Sequence, residues 1–166
     1  MKQNLKISIV TVTKNSENFL EECILSVFNQ SYKNYEHIII DGGSTDKTLD
    51  IIKKHKEKIS YWITEKDNGL YDAMNKGIKK SSGDIIGILN SDDIFFPEAL
   101  KIVNKYFLLN KDLDFLFGSV HKHKLMYGYN PKKIKWSFGF YSTHSVGFFI
   151  KKESQEKVGL YSLKYK

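Results

Sequence analysis

Apolar residues along this chain recur in two rhythms that take turns. Leu5 to Thr13 alternates and is rich in β-branched residues, which predicts a strand. Phe19, Leu20, Cys23, Ile24, Val27 and Phe28 then recur at helical spacing, with Asn15 or Ser16 placed to cap that helix. Tyr35 to Ile40 predicts a second strand ending at Asp41, and Gly42 and Gly43 turn the chain. Ser44, Thr45 or Asp46 can cap a helix carrying Leu49, Ile51 and Ile52. Ile59 to Thr64 reads as a third strand. Leu70 to Lys80 reads as a helix with Met74 and Ile78 inward, closed with help from Gly83. Ile85 to Leu89 is a fourth strand. Pro97 suits the first turn of a helix running to about Phe107, and Leu113 to Val120 is a fifth strand.

Strands alternating with helices predict an α/β domain with a mostly parallel sheet. After about residue 120 the rhythm breaks. His121 to Phe140 is aromatic and lysine-rich with little periodicity, and Phe148 to Ile150 is a candidate further strand. No repeat, linker or low-complexity segment stands out. The expected organisation is one domain over 1–166, with a first part at about 1–120 and a second at about 121–166.

Composition narrows the class. With 166 residues, 41% hydrophobic and 27% charged, the chain can bury a real core. It has no apolar run of about 18 residues, and no signal peptide is read at Met1 to Lys6. The single cysteine, Cys23, falls at an apolar helical position and reads as core, which points to a reducing compartment. All 26 basic residues are lysine, and the net charge is +7. Without arginine there is no bidentate fork for a phosphate, so a diphosphate must be held by lysine, backbone N–H groups or a metal. The lysine clusters at 53, 54, 56 and 58 and at 132, 133 and 135 read as solvated faces.

In open α/β sheets ligands bind beyond the carboxyl ends of the strands. Polar groups gather there: Thr11 to Asn15 after strand one, Asp41 after strand two, Glu65 to Gly69 after strand three, and Asn90 to Asp93 after strand four. Asp92 and Asp93 are adjacent carboxylates at the tip of an apolar strand. They read either as turn and cap residues or as a site for a divalent cation with an anionic ligand. Asp41 reads either as a helix cap or as an acceptor for a nucleobase or ribose donor. The segment DGGSTDKT lacks the GxGxxG spacing, and Lys47 is in no GK[ST] frame, so neither dinucleotide nor P-loop binding is indicated. His121, His123 and His144 lack zinc-ligand spacing. His144 reads as a structural histidine or as a substrate contact.

Four runs in this order, SIVTVTKN, IIIDGGSTDKT, EKDNGLYDAMNKGI and GDIIGILNSDDIFFPEAL, strongly resemble the family 2 glycosyltransferases of GT-A fold. The nearest likeness is to bacterial enzymes of capsule, O-antigen and colanic-acid synthesis, dense over residues 5–110 and looser beyond. The resemblance implies a GT-A α/β fold and inverting transfer of a sugar from a nucleotide-diphosphate donor, most often a UDP-sugar, to a saccharide or lipid-linked acceptor. It implies that Thr11, Thr13 and Asn15 line the nucleotide pocket and that Asp41 contacts the base. Many relatives carry a second Asp after it, where this chain has Gly42. Asp67 and Gly69 fall near ribose and base. Asp93 falls at the position of a ligand to Mn²⁺ or Mg²⁺, and Asp92 at the ribose or the metal shell. Residues 121–166 would form the acceptor side, where His144 sits. YSTHSVGFFIKKE resembles the acceptor-side segment with Ser145 in place of the usual Gln, and VGLYSLKYK resembles the stretch just before the family's general base. That base is therefore expected beyond Lys166.

A different class remains to be weighed against transfer: a nucleotide-sugar-binding unit with little turnover. Nucleic-acid binding is not expected, because the rim is lined by carboxylates and no RNP-like aromatic motif occurs. The expected setting is cytoplasmic, with peripheral membrane contact through lysine and aromatic residues near Trp136.

Overall fold

The computed structural model describes residues 4–118, 120–121, 125–126 and 147–164. The first strand, β1 (Ile7–Thr13), is buried along its whole length. It is the centre of the sheet, with β2 (Tyr35–Asp41) on one side and β4 (Ile85–Asn90) on the other, both parallel to it. β3 (Tyr61–Thr64) extends the sheet beyond β2, again parallel. A strand covered on both faces reads as a continuous apolar run, as β4 does; β1 is likewise buried although Ser8, Thr11 and Thr13 interrupt its apolar residues.

The helices supply the covers. α1 (Leu20–Phe28) and α4 (Ala99–Leu109) lie on one face, where Cys23, Val27, Leu100, Val103 and Phe107 pack on Ile7, Ile9, Ile85 and Leu89. α2 (Thr48–Lys54) extends that layer, with Ile52 against Ile24 and Ile39. α3 (Leu70–Lys80) covers the opposite face through Ala73, Met74 and Ile78, against Val10, Val12, Ile38, Ile40 and Ile86. Odd positions of β1 thus serve one core and even positions the other. α3 approaches β1 closely at Gly77: an added Cβ would overlap Val10 Cγ1 and stand 3.2 Å from its Cβ.

The later part of the sheet departs from the simple alternation. β8 (Phe148–Lys151) inserts between β4 and β5 (Phe115–Phe117), antiparallel to both, giving the order β3-β2-β1-β4-β8-β5. The fifth strand is therefore shorter than the predicted Leu113 to Val120. Val120–His121 forms β6 instead and pairs with β7 (Leu125–Met126) in a separate ribbon. The break falls at Gly118, whose N–H donates to the Gly147 carbonyl at 2.6 Å. α5 (Lys152–Val158) follows β8 directly and is short and polar, so its periodicity was not legible. The chain after it is clipped to α3. Asn75 Nδ2 donates to the Tyr161 carbonyl and Asn75 Oδ1 accepts the Tyr161 N–H, both at 2.9 Å, while Tyr161 stacks on Tyr71.

Three predicted end signals act differently. α1 has Phe19 at its N-cap position with no side-chain cap, because Asn15 and Ser16 are engaged elsewhere. Gly83 does not close α3: Ser81 does, its Oγ donating to the Gly77 carbonyl at 2.9 Å. Gly83 lies instead where a Cβ would meet the Ser8 backbone at 2.7 Å. Among the described residues no helix is long and apolar enough to cross a membrane.

Candidate functional site

The strand register sets a level rim. Thr13 pairs with Asp41, Asp41 with Thr64, and Val12 with Asn90. Four strands thus end side by side, and their loops stand over one edge of the sheet, where α/β folds bind ligands.

Short polar side chains stitch these loops together. Asn15 takes a left-handed conformation (φ 51°), which Asn tolerates better than most residues. Its N–H donates to Ser44 Oγ at 2.8 Å, and its Oδ1 accepts the Thr45 N–H at 2.9 Å. The Ser16 N–H donates to Thr48 Oγ1, and the Ser16 and Ser91 hydroxyls bond each other, each at 2.8 Å. The loop after β1 is therefore tied to the entry of α2 and to the tip of β4. The N-cap position of α2 is Lys47, without a side-chain cap, and Asp46 Oδ1 accepts the Thr48 N–H at 3.0 Å from just before it.

A cavity of about 580 Å³ opens above the ends of β1 and β4. Val12 and Ala73 form an apolar part of its wall, and Phe19 and Leu70, both about half exposed, stand at its mouth. Thr13, Asn15, Asp67, Gly69 and Asp92 are among the residues that line it. Lys14, Asn90 and Ser91, which belong to the polar runs read at the strand ends, line it as well, and so does Ser16, which the sequence offers only as a helix cap. Thr13 lines the cavity as a residue, while its Oγ1 is itself buried and has no hydrogen-bond partner among the described residues. A buried hydroxyl without a partner costs about 1–3 kcal/mol.

Two expected pocket residues lie elsewhere. Thr11 is fully buried two residues below the rim, with Oγ1 at 2.9 Å from His37 Nε2. It belongs to the core between sheet and α1 and does not line the cavity. Burial there pushes the Cys23 thiol up to about 12 and pulls the His37 imidazole down to about 3. Asp41 is also fully buried. Its Oδ2 accepts from the N–H groups of Gly43 (3.2 Å) and Ser44 (3.0 Å) and from Thr64 Oγ1 (2.5 Å), and its Oδ1 accepts from Ser44 Oγ. With both oxygens engaged, the carboxylate holds the loop 42–44 and the end of β3 together.

The loop after β3 is pinned more lightly. Asp67 Oδ1 accepts the Gly69 N–H, and Asp72 Oδ2 accepts the Asn68 N–H, both at 3.0 Å. The Asn68 N–H and Lys76 hold the Asp72 carboxyl below its usual range. Gly69, at φ 109°, occupies a conformation that a side chain would strain.

Asp92 is exposed and borders the cavity. Asp93 is half-buried, is not among the residues lining the cavity, and accepts from Asn90 Nδ2 at 3.2 Å. Among the described residues no three His, Cys, Asp or Glu side chains converge to hold a metal ion. The pair nevertheless fits a hard cation: two carboxylates supply oxygen ligands, and Mg²⁺-type ions keep several positions for water and phosphate oxygen. His144, His123, Ser145 and Trp136 lie outside the described residues.

The sheet sets a ligand-sized cavity at the carboxyl ends of its strands, and comparison with known proteins identifies the family. The sequence model of Glycosyl transferase family 2 matches residues 8–159. The chain belongs to that family, and its fold is GT-A. An uncharacterized glycosyltransferase of Haemophilus influenzae is 39% identical over 107 residues, covering 63% of this chain and 43% of that one. One from Methanocaldococcus jannaschii is 32% identical over 139 residues, covering 78% and 48%. The chain thus spans less than half the length of these relatives. S. aureus TarS 1–349 in complex with UDP superposes with TM-score 0.80 at 20% identity, over 97% of this chain and 51% of that one. The mannosyltransferase PcManGT of Pyrobaculum calidifontis, in complex with GDP-Man and Mn²⁺, gives 0.73 at 18%, over 96% and 48%. The likeness to these two structures is one of fold.

Proposed function

We propose that the cavity holds the nucleotide diphosphate of a sugar donor, a UDP-sugar first among candidates, and that the chain serves inverting sugar transfer to a saccharide or lipid-linked acceptor in cell-surface polysaccharide synthesis. The observation that carries this reading is a polar cavity over the ends of β1 and β4, lined by Thr13, Lys14 and Asn15, with Asp67 and Asp92 also in its wall. Membership of a sugar-transferring family supports it, as do the nucleotides carried by the structural neighbours.

Within this reading the chain's own groups divide the work. Thr13 and Asn15 meet the polar face of the nucleoside. Lys14, the ammonium among the residues lining the cavity, offsets phosphate charge in a protein without arginine. Asp92 and Asp93 would hold Mn²⁺ or Mg²⁺, which as a Lewis acid stabilises the departing diphosphate. Phe19 and Leu70 exclude water from one flank of the cavity. Transfer breaks the bond from anomeric carbon to diphosphate while the acceptor oxygen forms the new one and loses its proton to a base. The proposed setting is the cytoplasmic side of the membrane, where a lipid-linked acceptor would be presented.

Calorimetry with UDP and GDP, with Mn²⁺ and then with excess chelator, tests the reading alongside a donor-turnover assay. One nucleotide should bind, and Asp92→Ala or chelation should weaken it at least ten-fold. Failure of both nucleotides to bind in Mn²⁺ overturns the proposal. Binding without turnover of any sugar nucleotide would assign a nucleotide-sugar-binding unit in place of an enzyme.

A further inference from the structure

We propose that Gly42 and Asp67 form one specificity element: Gly42 leaves open the space that the Asp67 carboxylate fills, and that carboxylate selects nucleobases presenting a ring N–H. The inference rests on the nucleotide reading of the cavity and names what reads the base.

Gly42 is not required by backbone conformation. Its neighbour Gly43 has φ 77°, whereas Gly42 is not among the positive-φ residues. What excludes a side chain at position 42 is Asp67. A Cβ there would overlap Asp67 Oδ2 and stand 3.0 Å from its Cγ. The carboxylate thus folds back over the Gly42 backbone at the end of β2. It is held there by the Gly69 N–H on Oδ1 at 3.0 Å, which turns Oδ2 toward Gly42.

Topology places this carboxylate at the nucleoside end. β2 and β4 flank β1, so Asp67 stands two strand spacings, about 10 Å, from the Asn90 to Asp93 tip. A diphosphate held at that tip puts its nucleoside near Asp67. Asp41, the other carboxylate at this end, is buried with four hydrogen bonds inside its own loop. Asp67 is half-buried and lines the cavity.

An ionised carboxylate only accepts hydrogen bonds. It pairs with the N3–H of uracil or the N1–H of guanine, and it repels the lone pair that cytosine N3 or adenine N1 presents at the same place. An asparagine can donate there and should favour the opposite pair.

Calorimetry in Mn²⁺ with UDP, CDP, GDP and ADP tests this on wild type, Asp67→Asn, Gly42→Ala and the double variant, each checked for an unchanged thermal midpoint. Wild type should prefer UDP over CDP, or GDP over ADP, at least ten-fold. Asp67→Asn should remove or invert that ratio. Gly42→Ala should lower it by displacing the carboxylate, and the double variant should differ little from Asp67→Asn. Equal losses for all four nucleotides on Asp67→Asn, or a ratio untouched by Gly42→Ala, overturn the inference while leaving the pocket intact. Failure of wild type to bind any nucleotide overturns the pocket reading, and the inference with it.

Discussion

Asp41→Asn separates a loop-organising carboxylate from a base-contacting one. The wild-type carboxylate accepts four hydrogen bonds in full burial. Bonds to a charged acceptor contribute about 1.5–3 kcal/mol each, and neutral ones about 0.5–1.5. Asparagine keeps the shape. With its carbonyl oxygen at the Oδ2 position it retains three bonds in neutral form, and the Ser44 hydroxyl turns to accept the fourth. About 1 kcal/mol is lost per bond over four bonds, partly offset because a neutral amide costs less to bury than a carboxylate. The expected loss is about 2–3 kcal/mol, a downward shift in Tm of about 4–12 °C for a chain of this size. Alanine removes both acceptor oxygens and leaves four donors without that partner, so its loss should exceed that of asparagine. Thermal and urea unfolding read the stability, and calorimetry with the bound nucleotide reads the site. A Tm within about 1 °C of wild type, combined with a hundred-fold loss of nucleotide affinity, would refute the organising role and restore Asp41 as a ligand contact.

Acid should destabilise the protein through His37. Its folded pKa of about 3 lies below the 6.5 of an unperturbed histidine. Between those values the unfolded chain binds a proton that the native state does not, so stability falls as pH falls, by up to about 1.4 kcal/mol per pH unit. Urea midpoints for His37→Gln should be flatter than wild type between pH 6.5 and 4.5, and an unchanged slope there would refute the assignment. Glu36 acts lower still. Burial alone would raise it, yet hydrogen bonds from Lys6, Ser8 and Ser82 hold it at about 2, so its contribution is lost as pH falls from 4.5 toward 2. Gly77→Ala should destabilise by about 1–3 kcal/mol through overlap with Val10, outweighing the roughly 1 kcal/mol gained in helix propensity. A stabilised variant in chemical denaturation would show that α3 has room to move.

The order of elements and the edge of the sheet where chemistry collects were legible in the sequence, because both follow from local patterns. Alternation and β-branched residues marked β1 as a strand, apolar runs marked β2 and β4, and helical spacing marked α1 and α3. The polar residues at the strand ends marked the rim. What each rim residue does was decided by partners distant in the chain. Thr11 and Thr13 look equivalent in SIVTVTKN, yet one is closed over by His37 and the other ends at the cavity, since depth below a strand end is a tertiary quantity. Asp41 and Asp67 look like equivalent carboxylates until Thr64 and Ser44 are seen to engage the first, and Gly42 is seen to make room for the second. The insertion of β8 between β4 and β5 was likewise invisible, because strand neighbours are chosen by packing and backbone hydrogen bonding across the whole sheet.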